Sequence, residues 1–252
     1  MSGCRRIVMD VRKILPALGA LLFLAATDAA ALQIPERLEY DLTWLGIQAG
    51  RATLETRDTG RDIIFRSRAI SSPAVSVFYK VEDTAVSSLR KGKHRTLPGV
   101  LYNYRLKLSE GRHRKDREVV FNLKKKKATQ IDHLEKSRKD YAVGRDTMDA
   151  LTCFFHVRFL PLEPGVPVYA HIFDNGKYYR LKVQVLRRER ITTRLGEFNT
   201  IVIKPILLTE GLFQRKGEVT IWLTDDPKRL PALLETKVKI GSIKATLTGG
   251  SY

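Results

Sequence analysis

From residue 38 onward, apolar and polar side chains alternate through most of the chain. Leu38, Tyr40, Leu42 and Trp44 fall on one side of an extended segment, and Val219, Ile221 and Leu223 do so in another. Leu234, Thr236, Val238 and Ile240 repeat the pattern with Glu235, Lys237 and Lys239 opposite, and Ile243, Ala245 and Leu247 follow. Successive side chains of a strand point to opposite faces, so a period of two predicts strands with one buried and one wet face. The same reading predicts strands over 51–57, 63–70, 81–89, 100–108, 117–123, 168–173, 179–185 and 200–208. Turn signals separate them: Asp58-Thr59-Gly60, Ser109-Glu110-Gly111, Asn175-Gly176, Asp225-Asp226-Pro227 and Gly241-Ser242. Pro205 within 200–208 predicts an edge or a bulge, because proline has no N–H for a ladder.

The period changes in two places. Ser72-Pro73 to Phe78 predicts a single helical turn, with proline tolerated in the first turn. Residues 146–160 predict the one real helix, with Met148, Leu151, Phe155 and Phe159 on a stripe, Asp146 as N-cap and Pro161 beyond its end. Strands about ten residues apart with one helix between them predict a mainly β fold. We expect a strongly curved antiparallel sheet, or an open or half-closed β-barrel, with that helix against its concave side. No Pro/Gly/Ser-rich linker divides residues 32–252, which predicts one β-rich domain.

The N-terminus has another origin. Arg5, Arg6, Arg12 and Lys13 precede an apolar run of about 13 residues, shorter than the roughly 20 of a membrane-spanning helix. Small residues Ala29-Ala30-Ala31 follow. This is the arrangement of a secretory signal peptide over 1–31, and the expected address is the periplasm. An uncleaved N-terminus anchored in the inner membrane is the alternative. Cys4 lies before the apolar run, where no lipid would be attached, so cleavage would leave Cys153 alone and without a disulfide partner.

The chain of 252 residues carries a formal charge of +18, and loss of 1–31 removes four basic and two acidic residues, a drop of about two. The basic residues concentrate in Arg112, Arg114, Lys115 and Arg117, then Lys124, Lys125, Lys126 and Lys127. We read them as exposed charge that blunts an edge strand; the functional alternative is an anion-attracting rim. No aromatics interleave with the lysines, so nucleic acid is not an expected partner.

Catalytic chemistry finds little support. Asp225-Asp226 before Pro227 reads as a turn, and neighbouring residues of a strand would not converge on one proton. Asp226 is expected to fix its loop through Arg229. Asp146 and Asp149 read as helix-start residues. The five histidines, His94, His113, His133, His156 and His171, have no zinc-ligand spacing, and no nucleophile elbow, P-loop or dinucleotide motif occurs. We expect no metal and no cofactor.

A resemblance joins the two ends of the chain. Trp222-Leu223-Thr224-Asp225-Asp226-Pro227-Lys228-Arg229-Leu230-Pro231, a charged alternating strand, and Ile240-Gly241-Ser242-Ile243-Lys244-Ala245-Thr246-Leu247 resemble the end of a bacterial exported family, the domain of unknown function numbered 3108. The tyrosine-bearing strand leading into Trp44-Leu45-Gly46-Ile47 and Ala49-Gly50 resembles its start. The family's usual Arg-Ile-Pro stands here as Arg229-Leu230-Pro231. The resemblance implies a fold, an exported address and a helix with an aspartate near its start; it implies no activity.

Together these readings predict a non-enzymatic binding or carrier module of the cell envelope. Its hollow would hold a lipid, a lipoprotein acyl chain or an anionic glycan, and the protein would be soluble or peripheral at a membrane surface. Tyr40, Trp44, Phe155, Phe159 and Trp222 are the candidate lining; Asp226, Arg229, Pro231 and Gly241 are loop-structural candidates. A hydrolase acting on an envelope polymer and an assembly partner using a bare strand edge are the alternatives.

Overall fold

A computed structural model describes residues 32–92, 97–208 and 218–252; the expected signal segment 1–31 and His94 lie outside them. Among the described residues the order is β1 (Glu36–Trp44), β2 (Ile47–Asp58), β3 (Asp62–Ser71), α1 (Pro73–Ser76), β4 (Glu82–Lys91), β5 (Gly99–Glu110), β6 (His113–Asn122), β7 (Lys127–Asp132) and β8 (Ser137–Ala142). There follow β9 (Thr147–Met148), α2 (Ala150–Arg158), β10 (Val168–Asp174), β11 (Lys177–Thr193), β12 (Gly196–Leu208), β13 (Val219–Thr224), β14 (Pro231–Lys237) and β15 (Ser242–Ser251).

All fifteen strands form one sheet in the order β8-β7-β6-β5-β4-β3-β2-β1-β15-β14-β13-β12-β11-β10-β9. Neighbours are antiparallel except β9 and β10. The first and last strands are therefore partners in the middle of the sheet, with Tyr40 opposite Leu247 and Trp44 opposite Ile243. The outermost strands β8 and β9 follow one another in the chain, so the sheet curls until its edges meet at residues 143–146. The ladder does not close there. Side chains pack the seam: Tyr141 of β8 lies 5.1 Å from Phe173 of β10, Phe121 of β6 meets Phe173 edge-on at 6.3 Å, and Arg117 donates to Asn175.

Inward positions from both halves make one core. Phe65, Leu89, Leu101, Tyr104 and Phe121 come from the first half; Ile172, Val183, Ile201 and Leu223 come from the second; Leu151 and Phe155 of α2 lie between. A smaller cluster of Leu38, Tyr40, Leu230 and Leu247 seals the centre of the sheet.

The expected curved sheet with a helix inside it is found, with corrections in detail. The helix begins at residue 150, because Asp149 rather than Asp146 caps it, its carboxylate accepting from the Thr152 N–H at 2.8 Å. Thr147 and Met148 instead pair with His171 and Ile172. The expected α1 turn is present, with the Ser72 hydroxyl accepting from the Val75 N–H. The strand expected over 234–240 stops at Lys237, and Val238 and Ile240 stand exposed in the turn before β15. β7 and β8 had no apolar alternation to reveal them: their buried positions include Thr129 and Asp132.

Candidate functional site

Helix α2 is buried on nearly every side: Leu151, Thr152, Cys153, Phe155, Val157 and Arg158 are all shielded from solvent. On one flank it is tightly packed. Phe155 lies 4.3 Å from Phe65 of β3, and the Asp149 carboxylate accepts from the Ser87 hydroxyl of β4 at 2.8 Å. On the other flank it is not. Between Cys153, Phe154 and Val157 and the inner face of β10–β14 there remains a cavity of about 370 Å3. Its far wall is Ile172, Leu181, Val183, Ile203, Pro205, Leu207, Val219, Ile221, Leu223 and Leu234. A volume in this range and a lining this apolar suit a small hydrophobic ligand.

The strands explain why space is left. β12 pairs with β13 only over Thr200–Ile203. Beyond Ile203, Pro205 and Leu207 continue β12 without that neighbour, so the expectation of a local edge at Pro205 is met by a shortened partner strand. The cavity reaches Asp174, Leu207 and Val219, where the paired strands end. This is its mouth.

Its deep end is closed by charge. Arg158 is fully buried and grips Glu36 of β1 in a two-pronged contact, Nη1 to Oε2 and Nη2 to Oε1, both 2.8 Å. Its Nε donates to the Arg229 carbonyl at 3.0 Å and its Nη2 to the Lys228 carbonyl at 3.1 Å. The guanidinium also lies against the rings of Phe155 and Phe159, at 5.4 and 5.3 Å. A guanidinium with this many partners is neutralised where it stands and leaves little charge for a ligand head group.

Burial shifts three other ionisable groups near α2 towards their uncharged forms. Burial, and then the nearby Asp149, push the Cys153 thiol up to about 12. Burial likewise raises the Asp149 carboxyl above the usual range, against hydrogen bonds from Thr152 and Ser87. The Tyr104 hydroxyl is raised mainly by burial. Among the described residues no group of three or more His, Cys, Asp or Glu side chains could hold a metal ion.

None of the five aromatics expected to line the hollow borders this cavity. Phe155 is in the core but on the packed flank of α2. Phe159 caps the helix and lies on Arg158. Tyr40 belongs to the central cluster, its hydroxyl donating to the Pro231 carbonyl at 3.0 Å. Trp222 points to the outer face, where its Nε1 donates to Glu189. Trp44 shares the inner face but lies at the strand's end, exposed, with its Nε1 donating to the Ile240 carbonyl at 2.9 Å. Large aromatics were weighted in that reading, whereas the lining is mostly aliphatic. The signal available was the inward alternation of Leu181, Val183, Ile203 and Ile221 on consecutive strands.

The basic candidates do not form one rim. Arg112 lies in the β5–β6 turn and Arg114, Lys115 and Arg117 follow on β6, while Lys124, Lys125 and Lys126 occupy the turn at its other end and Lys127 opens β7. A ten-residue strand separates the groups by roughly 30 Å. Several are engaged: Arg114 donates to the Gly111 carbonyl, Arg117 to Asp132 and Lys127 pairs with Asp140.

The loop residues act as braces. The Asp226 carboxylate accepts from the backbone N–H groups of Lys228 and Arg229 at 2.9 and 3.1 Å, whereas the Arg229 guanidinium pairs with Asp225. The backbone, rather than the arginine side chain, is what Asp226 holds. This presents the Lys228 and Arg229 carbonyls to Arg158 and the Pro231 carbonyl to Tyr40. Gly241 sits at φ +73°, and a Cβ there would come within 2.6 Å of Leu45.

One polar hollow lies on the outer face, around Asp146, His156, Tyr169, His171 and Arg180. His171 Nδ1 and Asp146 Oδ2 are 2.7 Å apart, and Arg180 lies over the Tyr169 ring at 4.1 Å. Burial raises the Asp146 carboxyl most, but the bond to His171, a backbone hydrogen bond and the His171 charge together outweigh it and the net shift is downward. Among the described residues, no serine or cysteine lines this hollow.

Comparison with known proteins adds the fold's relatives. The chain is similar to the β-barrel-like protein of the domain of unknown function DUF1849 from Brucella abortus, at a TM-score of 0.58 and 10% identity over 88% of this chain and 98% of that one. That likeness shows a shared fold. A protein with a YmcC-like fold from Bacteroides fragilis matches over the same shares of the two chains at 10% identity with a TM-score of 0.32, too low to carry an argument. No curated protein matches. The model of the family described as protein of unknown function (DUF3108) matches residues 39–248, so the chain belongs to that family.

Proposed function

We propose that the protein is an exported, non-enzymatic binding module that carries a single apolar chain, such as a lipid or lipoprotein acyl chain, in the cavity beside α2. The observation that carries this reading is the cavity itself: about 370 Å3, aliphatic on its far wall and bordered at one end by Arg158. An apolar void of this kind gains from a ligand because water finds no partners in it. Removing the ligand's hydrocarbon from water supplies the affinity, at about 0.8 kcal/mol per buried CH2 group. A glycan would need polar groups converging on the cavity, and the lining supplies few.

The alternatives fit less well. A hydrolase would draw on the Asp146–His171 pair, yet among the described residues no serine or cysteine lines the hollow around it. An assembly partner would need a bare edge, yet β8 is six residues long and carries Arg138, Lys139 and Asp140, features that discourage strand addition.

The test is native purification followed by solvent extraction and mass spectrometry, with titration of the emptied protein by a fluorescent fatty acid. Ala150 is exposed at the start of α2 and lines the cavity. Ala150→Phe should weaken binding of the fatty acid at least about tenfold with little change in stability, since it fills space at an exposed position. A protein that yields no lipid and binds the probe no better than Ala150→Phe would end the carrier reading.

A further inference from the structure

Antiparallel pairing places the β1–β2, β3–β4, β5–β6 and β14–β15 connections at the same end of the sheet. They touch one another. Trp44 Nε1 donates to the Ile240 carbonyl, Leu45 packs beside Gly241, the Ser72 hydroxyl donates to the Gln48 carbonyl at 3.1 Å, and the Tyr79 ring covers Gly111. This end is unusually apolar. Phe78 is 90% exposed, Ile240 63%, Ile47 61% and Leu45 59%. The alternation that should bury Ile240 runs past the end of β14 and delivers it to solvent instead.

The patch is continuous with the cavity. Ladder partners step outward along the inner face: Leu234 of the cavity wall pairs with Ala245, Ala245 with Leu42, and Ile243 with Trp44. The charge around it is basic. Lys80, Arg112, Lys239 and Lys244 are exposed and form no ion pair among the described residues. Of the acidic neighbours, Glu218 lies 3.2 Å from both Lys204 and Lys237 and Glu82 lies 3.1 Å from Arg68, while Glu235 accepts from the Ser242 hydroxyl and Asp174 is exposed. Glu110 beside Asp83 is raised by burial and by that neighbour. Exposed apolar tips ringed by unpaired cations match a surface that is apolar beneath an anionic layer.

We infer that this end of the protein docks on an anionic phospholipid bilayer, with Leu45, Phe78 and Ile240 entering the headgroup region. Asp174, Leu207 and Val219 of the cavity lining lie at the same end of the sheet. Docking requires the patch and not the cavity, so it stands apart from the carrier reading.

The experiment is partition of the purified protein onto phosphatidylcholine vesicles with and without phosphatidylglycerol. Trp44 and Trp222 are the two tryptophans, and Trp222 is buried. Brominated lipid should therefore quench Trp44 alone, and Trp44→Phe should remove the quenching. Partition should be at least about tenfold stronger on anionic vesicles and should weaken with salt. The triple variant Leu45→Ser, Phe78→Ser, Ile240→Ser should lose at least about tenfold in partition while its melting temperature holds, because these side chains are exposed. Lys239→Gln with Lys244→Gln should reduce the preference for anionic lipid. Equal partition of the triple variant, an unquenched Trp44, or a concentration-dependent dimer that buries this patch would overturn the inference. Ala150→Phe should dock like the parent protein, so failure of docking and failure of the carrier reading give different patterns.

Discussion

At the scale of single residues, Arg158 is the side chain on which the interior depends. It joins α2 to β1 through Glu36 and to the loop before β14 through two carbonyls. A buried pair contributes little relative to a well-packed apolar pair, but losing one partner strands a charge in a poorly polarisable interior. Arg158→Met should therefore cost about 3 to 5 kcal/mol in urea denaturation. The double variant Glu36→Met, Arg158→Met should lose clearly less than the two single losses added together. If the double loss equals the sum, the two side chains are not coupled. Nothing in the sequence paired these residues, since 122 positions separate them and a lone arginine at the end of an amphipathic helix reads as a solvated terminus.

At the scale of elements, alternation located most strands because a one-sided sheet enforces it. It failed where few positions are both buried and apolar, as in β7 and β8, and where a turn overruled it, as at Val238. It also under-read β11, which runs for 17 residues. A register shift between Val185 and Arg187 breaks the alternation there and leaves Leu186 exposed. The cavity was less legible than the strands. Its existence depends on how far β12 and β13 pair, and no local pattern states the length of a partner strand. Gly50 shows the reverse case, a residue whose demand is local. β2 and β3 approach so closely there that a Cβ would collide with the Ile70 carbonyl. Gly50→Ala should push the two strands apart and cost about 1 to 3 kcal/mol, with hydrogen exchange quickening first in β2 and β3. Unchanged exchange there would mean that the backbone accommodates the methyl group.

On the scale of the whole molecule, the curl is held at the seam by side chains where the ladder stops. Phe173 is fully buried between Tyr141 and Phe121. Phe173→Ala should lose about 3 to 5 kcal/mol, and the amides of β8 should become the least protected in the sheet. If β8 stays as protected as β1, the seam is held by something other than this ring. The exposed apolar tips at one end and the Arg158–Glu36 pair at the far side of the cavity give the molecule a polarity that composition alone does not convey.

The pairing of β1 with β15 sets an order on assembly. Strands β1–β8 can zip by local hairpins as soon as they exist, and so can β10–β14. Only the final ten-residue strand, with partners on both sides, welds the two ribbons into one wall. Until it arrives, two sticky flanks lie open. A chain cut before Ser242 would keep nearly all its side chains and still be left as two loosely tethered pieces.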